Sequence, residues 1–463
     1  MHTHDLDIAT GFEARAAHPV TPATLRRVLL CAGFLAAAVA YAVLAAPQAG
    51  MAPLWMAIAA AFGGYMALNI GANDVANNIG PLVGARIMPL GAALVMAAGM
   101  EAAGAILGGD AVVGTIRKGI IMPTAFADTA SYVWAMMAAL LAAALWLNMA
   151  TSLGAPVSTT HSIVGGVLGA GVAAAGFGIV DWPVMGRIAA SWLISPLLGA
   201  LLAAFWLALI GRMILARADI LRAAGRGVPL LAAAMCWAFA GYLMTKVMDL
   251  DAGSALMAGL PPAGLVWLAM RAHVARRIVQ LDNNAQSVNR LLGVPLILAA
   301  GALSFAHGSN DVANAIGPLA GIVEALASGE AAGKAAIPAW VMVLGGVGLA
   351  IGLLLFGPRV IRTIGTELTR LDATGAYSIA MAATLTVILA SQLGLPVSTT
   401  HVTVGAVLGV GFLREAMAVR AGGRGRVNRR LMLRIFAAWI ITVPATAALA
   451  GLTFFTLRGA LLP

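Results

Sequence analysis

The stretch Gly71-Ala72-Asn73-Asp74-Val75-Ala76-Asn77-Asn78-Ile79-Gly80-Pro81-Leu82 returns as Gly308-Ser309-Asn310-Asp311-Val312-Ala313-Asn314-Ala315-Ile316-Gly317-Pro318-Leu319. A second stretch, Pro156-Val157-Ser158-Thr159-Thr160-His161, returns unchanged as Pro396-Val397-Ser398-Thr399-Thr400-His401. Both copies of the second block run on into glycine-rich apolar sequence, 164–169 and 404–409. Asn73 precedes Pro156 by 83 residues, and Asn310 precedes Pro396 by 86. Two polar blocks in the same order and at nearly the same spacing mark an internal duplication.

The sequence around these blocks belongs in lipid. The chain has 463 residues, is 61% hydrophobic and 10% charged, and has a mean hydropathy of +0.94. A soluble domain carries roughly a quarter of its residues charged, so this chain cannot cover itself with a wetted surface. Its 54 glycines suit close helix–helix approach in a bilayer. Apolar stretches near the ~20 residues a helical crossing needs lie at 27–46, 52–71, 88–108, 131–151, 187–211, 228–248, 294–307, 338–357, 376–394 and 433–457. Shorter or broken ones lie at 74–86, 157–175, 255–270, 312–327 and 397–413. The expected fold is an all-α polytopic membrane protein with about 10 to 12 crossings and half-helices at the repeated blocks.

Charge divides the chain further. The net charge of +10 lies in loops, a pattern the positive-inside rule explains without nucleic acid. Segments 212–226 and 271–290 each carry four arginines and are joined by two spans around Asp249 and Asp251, so both read as cytoplasmic. The expected organisation is a cytoplasmic tail at 1–26, a first transmembrane half at 27–270, a polar cytoplasmic linker at 271–293 and a second half at 294–463. The tail holds His2, His4 and His18 and lacks a short apolar segment with a cleavage site. Cys31 and Cys236 sit in apolar runs and read as buried thiols rather than a disulfide. After the first Ser-Thr-Thr block, residues 172–186 contain no Lys or Arg, whereas 412–434 contain seven arginines. Equivalent loops of opposite charge character belong on opposite sides of the membrane, which predicts inverted-topology repeats.

Each block has chemistry suited to a transport site. A carboxylate within lipid is costly unless paired, hydrated or coordinating a cation. Asn73, Asp74 and Asn77, with their copies Asn310, Asp311 and Asn314, supply carboxylate and amide oxygens for a hard monovalent cation. Gly71, Gly80 and Pro81, and their copies, predict a break in the helix. The plainer reading is that these polar residues only cap half-helices, but a cap does not require the whole duplicated block. Ser158, Thr159, Thr160, Ser398, Thr399 and Thr400 open helices with hydroxyls and free N–H groups, which suits an oxyanion. Asp74 and Asp311 border the same site. His161 and His401 order the hydroxyls, relay protons or pack as neutral rings. Glu101, whose approximate counterpart is Leu349, reads as a cation or proton site or as a partner of Arg117 or Lys118. His307, where the first half has Ile70, reads as structural.

With these residues the chain resembles the inorganic phosphate transporter (PiT) family, whose two halves carry a duplicated Gly-Ala-Asn-Asp-Val-Ala-Asn signature. The resemblance covers roughly residues 52–457, with Ser309 in place of alanine as the one departure in the signature. It implies uptake of inorganic phosphate across the cell membrane, the inner membrane of a bacterium, driven by Na⁺ or H⁺ and with no further cofactor. It also implies inverted repeats around a mid-membrane site lined by the Asn-Asp and Ser-Thr-Thr residues. Some family members carry sulfate, and the species moved could be a metal–phosphate complex. The apolar exterior permits a homodimer. An intramembrane hydrolase would need one assembled nucleophile constellation, whereas here both copies keep the same polar residues. No Gly-x-x-x-x-Gly-Lys-Ser/Thr loop is present for an ATP-driven motor. Against a channel, paired carboxylates with inverted repeats favour coupled alternating access over a passive pore.

Overall fold

The structure, a computed structural model, describes residues 21–47, 50, 52–152, 157–330, 337–364, 371–420 and 429–461. Most of the expected tail at 1–26, together with Pro156 and the arginines within 421–428, lies outside the described residues. In the first half the helices are α1 (Pro22–Ala45), α2 (Ala52–Gly84), α3 (Leu90–Gly108), α4 (Asp110–Lys118), α5 (Thr129–Ser152), α6 (Thr159–Ala175) and α7 (Trp182–Ile210). Next come α8 (Ile220–Val247), α9 (Ala252–Ala258), α10 (Leu260–Ile278) and α11 (Ala285–Leu291). The second half holds α12 (Gly293–Asp311), α13 (Ala313–Ser328), α14 (Ala339–Ile364), α15 (Ala373–Gln392), α16 (Thr399–Arg420) and α17 (Arg429–Leu461). Among the described residues eleven helices are long and apolar enough to cross a membrane, or up to twelve if the bent α11–α13 segment counts as one. The chain is a multi-pass membrane protein.

The first polar block departs from expectation. The helix break predicted at the first polar block is absent, because α2 runs unbroken through Gly71, Gly80 and Pro81. Tertiary packing on a buried helix outweighs the local cost of Gly and Pro. In the second half Val312 alone separates α12 from α13. An apolar helix too short to cross arises instead at α6, while its copy α16 runs 22 residues. The segment expected as a linker at 271–293 is largely helical, since α10 continues to Ile278 and α11 follows.

Packing between the halves comes in matched pairs. The helix α2 packs on α14, and α12, which carries the second copy of the same block, packs on α3. Likewise α6 packs on α17 and α16 on α7. The backbone approach repeats as well. A Cβ added at Gly71 would lie 1.9 Å from the Leu349 carbonyl oxygen, and one at Gly308 would lie 2.1 Å from that of Glu101. Only glycine fits at either point, and the equivalence of Glu101 with Leu349 follows from it. Swapping equivalent helices reproduces the contacts, as a two-fold relation between the halves requires.

Candidate functional site

The site forms where α2 and α12 meet the starts of α6 and α16. Asp74 and Asp311 are both fully buried. Ser158 and Ser398 cap α6 and α16, their hydroxyls accepting from the N–H groups of His161 (3.1 Å) and His401 (3.2 Å). That geometry turns the next two side chains of each helix inward. Thr159 donates to Asp74 Oδ2 at 3.0 Å and lies 3.3 Å from Asp311 Oδ2. Thr399 donates to Asp311 Oδ2 at 3.1 Å. A single threonine hydroxyl thus stands between the carboxylates of the two halves.

Other contacts cross between the halves. Asn77 Nδ2 donates to Thr400 Oγ1 at 2.9 Å, and Asn314 Nδ2, its copy, donates to Thr160 Oγ1 at 3.2 Å. Thr400 also donates to Asp74 Oδ1 at 3.1 Å, whereas Thr160 donates to the Val397 carbonyl at 3.0 Å. Asn73 Nδ2 reaches Asp74 Oδ1 (2.8 Å) and the Val157 carbonyl (3.1 Å). Asn310 anchors the strand of chain before α16. Its amide donates to the Leu395 carbonyl at 3.2 Å, and its Oδ1 accepts from the Val397 N–H at 3.3 Å.

Sequence reasoning missed part of this assembly. His307, read as structural, sits between three carboxylates, and all four side chains are fully buried. Its Nδ1 lies 3.2 Å from Glu101 Oε1, and its Nε2 lies 3.2 Å from Asp311 Oδ2 and 3.7 Å from Asp74 Oδ2. The available signal was spacing: His307 precedes Asp311 by four residues, which puts both on one helix face. Asn78, also overlooked, donates to Glu101 Oε1 at 2.6 Å. Glu101 does not pair with Arg117 or Lys118. Those cations bind Glu324 instead, at 3.2 Å and 3.3 Å, because α4 lies against α13.

His161 and His401 turn away from the hydroxyls. Their rings meet edge to face, with centroids 4.3 Å apart. Trp192 flanks the first at 3.9 Å and Trp439 stacks on the second at 3.5 Å. The four rings form one continuous aromatic column between α7 and α17.

Electrostatically the centre is short of positive charge. Three buried carboxylates share one imidazole, and no lysine or arginine bonds to them among the described residues. Four buried acceptor oxygens also lack a hydrogen-bond donor among the described residues: Asp311 Oδ1, Glu101 Oε2, Asn78 Oδ1 and Asn314 Oδ1. Unfilled acceptors of this kind are what an oxygen-liganded cation occupies. Asp74, His307 and Asp311 each offer a ligand atom, and those atoms lie within 4.8 Å of one another.

A sequence profile of the phosphate transporter family matches residues 70–450. The chain belongs to that family. A candidate phosphate permease of Helicobacter pylori strain J99 is 49% identical over 377 residues, covering 80% of this chain and 71% of its own length. One from Thermococcus kodakarensis is 37% identical over 404 residues, covering 86% and 97%. A solved sodium-dependent phosphate transporter matches with a TM-score of 0.82 and 33% identity, over 87% of this chain and 99% of that one. In this phosphate transporter family member the buried carboxylates, amides and hydroxyls therefore stand inside a fold shared with a known carrier. Its relatives are transporters and permeases rather than enzymes.

Proposed function

We propose that this protein imports inorganic phosphate across the cell membrane by symport with Na⁺, using the two half-site assemblies as one binding centre. The observation that carries this reading is the meeting of Asp74 and Asp311 through Thr159, next to acceptor oxygens that lack donors. Carboxylate and amide oxygens from Asp74, Asp311, Asn77 and Asn314 coordinate the cation, whose charge offsets the buried carboxylates. Hydroxyls of Thr159, Thr160, Thr399 and Thr400 at the two helix starts then receive phosphate. Ser158 and Ser398 hold those starts in place as caps. The similarity to a sodium-dependent carrier supports Na⁺ as the coupling ion. Cation binding precedes the anion, because an oxyanion beside unneutralised carboxylates is repelled. Inverted repeats would let the same centre face each side in turn.

The carboxylates also bear on substrate choice. Hydrogen phosphate keeps a proton near neutral pH and sulfate does not, so an ionised aspartate accepts a hydrogen bond from the former and repels the latter. Sulfate competition against phosphate uptake, before and after Asp74→Asn, tests this. Unchanged selectivity in a variant that still transports would remove the aspartate from that role.

Proton coupling is the second reading, favoured by His307 lying between Glu101 and Asp311. Purified protein in liposomes, given radiolabelled phosphate under an imposed Na⁺ gradient and then an imposed pH gradient, decides between the two. Uptake driven by Na⁺ alone supports the proposal. Uptake driven only by the pH gradient assigns the coupling to H⁺, and accumulation of sulfate instead overturns the substrate.

A further inference from the structure

A groove of about 310 Å³ opens on the outside of the helix bundle between α7 and α15, away from the transport site. Its walls are apolar side chains such as Ile194 and Leu198 on α7, Leu389 on α15 and Leu393 just past the end of α15. Ile194, Leu389 and Leu393 are more than half exposed, which on a membrane-spanning helix means they face lipid.

Four polar residues border this apolar lining, of which Ser191 and Thr386 donate to the Ile188 and Ala382 carbonyls of their own helices. Arg187 is the one charged residue on the groove, is exposed, and forms no ion pair or side-chain hydrogen bond among the described residues. Ser195 is 5% exposed, and its hydroxyl has no hydrogen-bond partner there. Depth fixes what Arg187 meets. From Arg187 to Arg212 the helical path rises about 37 Å, more than the ~30 Å hydrocarbon core. Arg212 opens the basic segment 212–226, and Arg187 follows a loop without Lys or Arg, so the two stand at opposite headgroup layers. From Arg187 the groove descends about 16 Å along α7 to Leu198, into acyl-chain territory.

We propose that this groove is a binding site for one anionic phospholipid, its phosphate on Arg187 and an acyl chain along α7 and α15. An unpaired guanidinium at headgroup depth above an apolar furrow fits that ligand in charge and shape.

The groove also touches the transport machinery from behind. Leu395 and Val397 form part of its lining, and their backbone groups hold Asn310 and Thr160. A seated acyl chain therefore supports the segment from which α16 starts, so the lipid acts on uptake as well as on binding.

The test uses full-length protein in nanodiscs of phosphatidylcholine with a minority of phosphatidylglycerol, followed by native mass spectrometry of retained lipid. Wild type should keep one phosphatidylglycerol that Arg187→Gln loses, with apparent affinity about five-fold weaker, and Arg187→Lys should restore it. Ser195→Trp, which fills the groove while leaving Arg187 in place, should exclude the lipid too. In liposomes, wild-type phosphate uptake should rise with phosphatidylglycerol, and that of Arg187→Gln should not. Equal lipid retention by wild type and Arg187→Gln would overturn the site. So would efficient disulfide cross-linking of two copies through Leu193→Cys, since a second copy would then cover the groove. Lipid retention is read without transport, so it stands or falls apart from the symport proposal.

Discussion

The two halves contribute the same carboxylate, but they hold it differently. Asn73, Asn77, Thr159 and Thr400 all donate to Asp74. Asp311 faces Thr159, Thr399 and His307, and one of its oxygens has no donor among the described residues. Asn73 and Asn77 are half-buried, whereas Asn310 and Asn314 are 1% exposed. The Glu101–His307–Asn78 cluster has no copy, for its counterparts are Leu349, Ile70 and Ala315. Duplicated groups suit a ligand shared across the axis. Unduplicated ones give the centre a direction, with a well-satisfied carboxylate on one side and an under-satisfied one on the other.

The largest expected effect sharpens that contrast. Asp74→Asn and Asp311→Asn should each lower driven phosphate uptake by about 100-fold or more, since each removes charged contacts worth about 1.5–3 kcal/mol apiece. The double variant should be little worse than either single one, because both act on one ligand. Thermal unfolding in detergent should then separate them. Asp74→Asn, which disturbs four donors, should melt earlier than Asp311→Asn, and equal melting points would erase the asymmetry.

Next in size is Glu101→Gln. It removes one carboxylate from the unduplicated cluster, so half-maximal uptake should need about 10-fold more Na⁺ while phosphate saturation changes little. A shift in the phosphate curve alone would place Glu101 with the anion and break the division between the halves.

The bridging hydroxyl gives a smaller, internally controlled comparison. Thr159→Val should cut uptake about 10-fold and Thr399→Val about three-fold, since only Thr159 reaches both carboxylates. Equal losses would mean that the bridge carries no extra weight. Smallest of all, His161→Phe and His401→Phe should keep uptake within about three-fold, because the rings pack on tryptophans and each other. Collapse of uptake in either would assign the column to proton transfer.

Much of this arrangement was legible in the sequence. The repeated blocks marked the four strips of chain that converge here, and Asp74, Asp311 and the threonines stood out by residue type, duplication and the family resemblance. What stayed hidden was side-chain pairing across large sequence separations. Glu101 choosing Asn78 and His307 over Arg117 depends on which helices lie side by side, and no periodicity carries that information. The predicted break at Gly71 failed for a related reason. That glycine serves the approach of α14 rather than a turn. Trp192 and Trp439 were equally invisible, since an aromatic residue on an apolar helix gives no sign of the ring it will face.

The two glycine contacts also limit how the protein can move. Leu349 presents its carbonyl to Gly71, and Glu101 presents its own to Gly308. On α2 the residues one turn from Gly71 are Ala67 and Leu68 on one side and Asp74 and Val75 on the other, none of them glycine. Along the second seam Ser304 and Phe305 stand one turn from Gly308 on one side and Asp311 and Val312 on the other, again without a glycine. A one-turn ratchet, one of the common ways for packed helices to change state, would therefore lose both close backbone approaches.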